Sequence, residues 1–264
     1  MALLKKRRIV PVPEELGSHL ELASNIDGGY DFENHIVTKT LGVSWKSLED
    51  CFVFRVAVDL KNSYKTCVLS TIARLFDPLE LFGPVVAKAK IFMQNLWSLK
   101  IDWMDELPPE KAKEWYQFLE DFKSINSICI ERCIVHLHVT RIELHGFVDA
   151  SENCYGAVIY CLSYSSNGIP TVKLVTSKSR VSPLKSVTIP RLVLCAAVLL
   201  SKLMKRVVIA LQVDSPPKYL WRDSPIVLAW IQKDSNILKT FVGNRVSTIH
   251  QLTSAEQWHH VPSS

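Results

Sequence analysis

The sequence predicts an α/β fold, a mixed sheet with helices, preceded by a small β unit and a helical region. Three observations predict it. Residues 141–175 alternate apolar and polar positions in three successive stretches, RIELHGFVDAS, CYGAVIYCLSYSSNG and PTVKLV, with Ser-Ser-Asn-Gly as a turn between the last two. Over residues 189–211 the spacing lengthens to Leu192, Cys195, Ala196, Leu199 and Leu203, a helical period, and Pro190 suits a first turn. Residues 219–223 then form a short strand ending in Asp223, and residues 224–232 open another helix. Three strands, a helix, a strand and a helix in that order make an α/β pattern with a mixed sheet.

Upstream, residues 28–60 alternate in the strand manner behind a Gly-Gly turn signal, which predicts the small β unit. Residues 66–76 and 84–97 switch to helical spacing, interrupted at Asp77-Pro78 and Gly83-Pro84. The run Leu107-Pro108-Pro109-Glu110 opens a third helix, and Trp115, Phe118, Leu119 and Phe122 share one face of it. Strand character returns at Ile128. The expected units are therefore 1–65, 66–127 and 128–264.

With 264 residues, 48% hydrophobic and 22% charged, the chain can bury one large core or two modest ones. The apolar run over residues 192–200 is cut by Lys202, Lys205 and Arg206, too short for a bilayer span. The opening MALLKKRRIVPVP reverses the order of a secretory signal, so an intracellular location, cytoplasmic or nuclear, is expected, without a membrane. Seven cysteines without a CxxC pair indicate neither a zinc site nor a disulfide framework, and reduced, mostly buried thiols are expected. A net charge of +5 permits nucleic-acid contact without demanding it, and the cluster at residues 5–8 is a weak basic patch.

Two carboxylates stand at strand ends: Asp149 in HGFVDAS and Asp223 in YLWRDS. Acids so placed suit a hard divalent cation such as Mg²⁺, although Asp223 before Ser224-Pro225 also suits a helix start.

The surrounding blocks decide between these readings. TKTLGVSW (38–45), LSTIARLFDPLELFGPV (69–85), the LW, DW and LP run (96–108), HGFVDASENCYGAVIY (145–160), KSRVSPLKSVTIPRLVLCAA (178–197), DSPIVLAWI (223–231) and FVGNRVSTI (241–249) appear in order. They resemble the reverse transcriptase and RNase H region of BEL/Pao LTR retrotransposon polyproteins, a region also described as a Pao retrotransposon peptidase. The resemblance implies an RNase H-like fold over residues 128–264, the end of a reverse transcriptase palm over 1–65, and a thumb or connection region over 66–127. It also implies Mg²⁺ ligation by Asp149 and Asp223, and an RNA–DNA hybrid or other nucleic acid as partner. Nothing in the pattern calls for a protein partner.

Departures from the family pattern bear on activity. The family helix reads Pro-Arg-Leu-Glu-Leu and its glutamate is a ligand, whereas this chain has Val193 between Leu192 and Leu194. The family continues past His-Val-Pro into a stretch that supplies the last acid, whereas this sequence ends at Ser264, so truncation of that domain is expected. Two of four expected carboxylates remain, and a degenerate site, a pseudoenzyme, is the expectation. The family glycine at the position of Glu80 is also replaced. No polymerase motif of the Tyr-x-Asp-Asp type is present, and no Asp-Ser/Thr-Gly supports peptidase chemistry. His136, His138, His145, His259 and His260 suggest no nucleophilic catalysis.

Two alternatives stay open. An active Mg²⁺-dependent ribonuclease H would need a replacement acid from Glu152, Asp214 or Asp234. A domesticated nucleic-acid-binding protein would use Lys178, Arg180, Lys185 and Arg191 as phosphate contacts.

Overall fold

The computed structural model describes residues 37–40, 43–56, 64–74, 77–135, 139–166 and 168–261. The basic cluster at residues 5–8, the Gly-Gly turn, His136, His138 and the final residues 262–264 lie outside them.

The small β unit is an antiparallel sheet of β1 (Val37–Thr40), β2 (Val43–Lys46), β3 (Cys51–Val53) and β4 (Cys129–Glu131), in that spatial order. The strand predicted to begin near Ile128 thus joins this first sheet, pairing Phe52 with Ile130. Asp50, at the β2–β3 turn, holds the far end: its carboxylate accepts from Trp45 Nε1 at 3.0 Å and from Arg132 Nη2 at 2.9 Å.

Pairing β3 with β4 also corrects the expectation for the cysteines. Cys51 and Cys129 form a disulfide with a Cα–Cα distance of 5.9 Å across 78 residues of sequence. Their partner strands are adjacent only after folding, so spacing along the chain could not reveal them. Of the others, Cys133 and Cys161 are buried, and Cys67, Cys154 and Cys195 are half-buried thiols.

Helices α1 (Lys65–Arg74), α2 (Gly83–Ser98) and α3 (Pro109–Lys123) follow the predicted bundle. The apolar face of α3 is buried as its spacing implies. Phe92, Trp115, Phe118 and Phe122 stack in series with centroids 5.2 to 5.4 Å apart. Such pairs add about 1 kcal/mol each beyond area burial.

The turn before α2 is shaped by two buried acids. Asp77 accepts from Leu81 N at 3.0 Å and Phe82 N at 2.7 Å, supplying donors at the helix entry with partners. Burial pushes its carboxyl above the usual range, against the pull of those two amides. Glu80 sits at φ 47°, the left-handed region that favours glycine.

The second sheet has the order β7-β6-β5-β8-β9. β5 (Val139–Ala150), β6 (Cys154–Ser165) and β7 (Pro170–Val181) are consecutive antiparallel strands, whereas β8 (Lys218–Arg222) and β9 (Trp258–His260) run parallel to β5. Mixed strand directions and covering helices match the predicted fold class.

Helix α4 (Ile189–Leu211) covers one face and has the predicted bounds. It packs so closely that a Cβ on Gly146 would lie 2.6 Å from Leu200 Cδ1. Helices α5 (Pro225–Ile231) and α6 (Thr240–His250) complete that layer, and no helix among the described residues is long and apolar enough to cross a membrane.

Gly243 on α6 supplies a first test. An added Cβ would stand 2.7 Å from the Ser235 carbonyl oxygen, a backbone atom that cannot swing aside. Gly243→Ala is expected to lower stability by about 2 kcal/mol in chemical denaturation, although alanine is the better helix former by ~1 kcal/mol. An unchanged or raised midpoint would show that the close approach is not maintained.

Candidate metal and nucleic-acid site

Asp149 and Asp223 stand near the ends of neighbouring parallel strands. The parallel register of β5 and β8 pairs Phe147 with Trp221, and two residues further along each chain stand Asp149 and Asp223. A step of two preserves the face along β5, so Asp149 stands on the Phe147 side, while Asp223 follows directly on the end of β8. Both are exposed. Asp149 Oδ1 accepts from Ala150 N at 2.7 Å, while the Asp223 carbonyl lies 3.0 Å from His260 Nε2.

That side faces away from α4, because the intervening Gly146 is the residue packed on Leu200. Its middle carries rings: His145 stacks on Tyr219 at 4.9 Å, and Trp221 lies 6.3 Å from Phe147 and 5.0 Å from His259. His145 is held between Trp221 Nε1, 3.2 Å from its Nδ1, and the buried Glu143, 3.0 Å from its Nε2. Its partners make it a structural histidine. Between Phe147 and the start of α2 lies a cleft of about 530 Å³, lined by Pro84, Ala87, Phe147, Asp149 and Val158 among others.

A carboxylate pair needs companions to hold a doubly charged ion. Among the described residues, the group in which three His, Cys, Asp or Glu ligand atoms lie within 4.8 Å of one another is Glu49, Cys51 and Cys129, in the other sheet. Neither Glu152, Asp214 nor Asp234 completes such a group with Asp149 and Asp223. Asp234 instead accepts from Asn236 N at 2.9 Å as a turn cap. Val193 is 2% exposed and belongs to the apolar core cluster. Among the described residues, no third ligand is gathered beside Asp149 and Asp223 for a hard divalent cation.

The four candidate phosphate contacts are dispersed in role. Lys178 bonds to the Glu80 carboxylate. Arg180 and Lys185 are exposed, and Arg191 is exposed with its guanidinium 5.2 Å from the Phe241 ring centre.

Sequence reasoning missed Arg222. Only 1% exposed, its guanidinium has no hydrogen-bond partner at Nε, Nη1 or Nη2 among the described residues. Burial lowers its pKa to about 10, with Asp223 pulling the other way. The available signal was parity, since Arg222 is two residues beyond the buried Leu220 and so shares its face.

A family model described as the Pao retrotransposon-like RNaseH-like domain matches residues 64–224. No curated protein sequence matches. Among solved structures, the foamy viral protease-reverse transcriptase dRH in complex with double-stranded DNA is similar at 14% identity and a TM-score of 0.46, over 86% of this chain and 38% of that one. The chain thus spans well under half of that relative. RNase H1 from Halobacterium salinarum is similar at 15% identity and a TM-score of 0.28, over 46% of this chain and 86% of that one. LC11-RNase H1 in complex with an RNA/DNA hybrid gives 11% identity and 0.31 with the same shares.

Proposed function

This chain belongs to the family of Pao retrotransposon-like RNaseH-like domains, and from that premise we propose that it is a degenerate member, a polyprotein fragment that has lost metal-dependent cleavage of RNA–DNA hybrids. The observation that carries this reading is the isolation of Asp149 and Asp223: no third ligand completes a group with them among the described residues, and Val193 is sealed in the core. In two-metal hydrolysis the ions activate water and stabilise the leaving oxygen. Among the described residues Mg²⁺ would meet only Asp149 and Asp223, and losing even ~4 kcal/mol of transition-state stabilisation slows turnover about a thousandfold. Residues 1–65 and 66–127 are read as the end of a reverse transcriptase palm and its thumb or connection region.

The protein is to be incubated with an RNA–DNA hybrid and Mg²⁺ while cleavage and binding are followed at several salt concentrations. No cleavage above background is expected, and Asp149→Asn leaves that background unchanged. Mg²⁺-dependent cleavage by the unmodified chain that Asp149→Asn abolishes would overturn the reading. Tight binding that weakens steeply with salt, without cleavage, would favour a retained docking role through Arg180, Lys185 and Arg191, because neutralised phosphates release counterions.

A further inference from the structure

The small sheet carries ligand chemistry that the RNase H-like reading leaves unused. Cys51 and Cys129 lie diagonally across β3 and β4, and Glu49 reaches over both: its Oε2 is 3.6 Å from Cys51 Sγ and 3.8 Å from Cys129 Sγ. We propose that Glu49, Cys51 and Cys129 form a Zn²⁺ site when the thiols are reduced, which the disulfide closes when they are oxidised.

Distances support the assignment. A tetrahedral Zn²⁺ with bonds of about 2.3 Å to sulfur and about 2.0 Å to oxygen sets each sulfur roughly 3.5 Å from the oxygen. Glu49 Oε2 already stands at nearly that separation from both sulfurs. The same geometry asks for sulfurs about 3.8 Å apart, which rotation about the two Cα–Cβ bonds supplies across a Cα–Cα distance of 5.9 Å once the S–S bond is cut. Two thiolates with one carboxylate are a donor set that zinc accepts, leaving a fourth position for water.

The surroundings favour one bound carboxylate. Lys46 Nζ contacts both Glu49 oxygens, Oε1 at 3.1 Å and Oε2 at 3.3 Å, and so holds the carboxylate in place; metal binding at Oε2 leaves it Oε1. Glu131, opposite Cys51 in the register, is engaged by Lys173 and is not needed as a ligand. Cys129 and Glu49 are exposed, which gives both reductant and metal a way in.

The exchange balances with a small-molecule thiol as reductant. Two equivalents of thiol cut the S–S bond and leave as their own disulfide, two cysteine thiols form, and Zn²⁺ then displaces their two protons. Metal affinity therefore rises with pH and with reducing poise.

The test uses the full chain, reduced with a phosphine, desalted without oxygen, and titrated with Co²⁺ followed by Zn²⁺. One equivalent of Co²⁺ is expected to give thiolate charge-transfer and tetrahedral ligand-field absorption, which one equivalent of Zn²⁺ removes; the oxidised chain takes up neither. Glu49→Gln changes an exposed side chain and spares the fold, and it is expected to weaken Zn²⁺ binding at least about tenfold. Cys129→Ser abolishes the tetrahedral spectrum. Absence of that spectrum in the reduced chain, its survival in a Cys51→Ser/Cys129→Ser variant, or Zn²⁺ affinity unaffected by Glu49→Gln would each overturn the assignment.

Discussion

Glu80→Ala is expected to reduce the unfolding free energy by about 3 kcal/mol, and Glu80→Gly by about 1 kcal/mol less. The carboxylate is 5% exposed and accepts from Ser179 N at 2.6 Å, Ser179 Oγ at 3.1 Å and Lys178 Nζ. Lys178 is 42% exposed, so its ion pair is screened and water receives its ammonium readily when the partner is removed. The larger loss is the Ser179 amide, a buried-edge donor left without an acceptor, which costs about 1–3 kcal/mol. Alanine would inherit the left-handed backbone at φ 47° along with that loss, whereas glycine relieves it. The ordering Glu80, then Gly, then Ala in urea unfolding is the check; an alanine variant as stable as the glycine one would show that the backbone carries no strain there.

Arg222→Met moves stability in the opposite direction. A guanidinium 1% exposed and without an acceptor among the described residues is desolvated without compensation from them, and an apolar side chain of similar length is expected to stabilise the fold by about 1–3 kcal/mol. Linkage fixes the pH dependence. The folded-state pKa is lowered to about 10 while the unfolded chain keeps the ordinary higher value, so above pH 10 the unfolded state binds more protons and stability rises with pH from this group. Its penalty is present in full below pH 10 and is relieved above it. The wild-type deficit relative to Arg222→Met should therefore narrow between about pH 10 and 12 in paired denaturation curves. A methionine variant less stable than wild type at pH 7 would mean that the guanidinium has an anionic partner in solution.

How far the sequence foretold this structure varied with the range of the forces involved. Helix α4 was legible to the residue because Pro190 and its apolar spacing are local signals, and β5 to β7 because long alternation and short turns settle register nearby. Asp149 and Asp223 were legible as residues at strand ends, whereas the parallel register that aligns β5 with β8 came from the structure. The destination of β4 and the Cys51–Cys129 bridge were not legible, since both depend on strands 78 residues apart becoming neighbours. Helix α6 and the three-residue β9 also escaped prediction: the first has a broken apolar face, and the second is too short to show alternation. Glu80 was visible as a departure from a family glycine, but only its φ and its contacts with β7 explain what the exchange accomplished.

β7 is a twelve-residue strand at the edge of its sheet, and an uncovered edge of that length is a template for pairing with other chains. The turn over residues 77–82 occupies that template: Leu79 O takes Ser177 N at 3.0 Å and Thr176 Oγ1 at 2.7 Å, and Glu80 takes the Ser179 amide. Lys173, bonded to Glu131, guards the other half with charge. The same contacts that attach the helical region to the sheet thus keep the molecule from polymerising through its own edge, and a chain loosened at Glu80 would meet its neighbours before it lost its core.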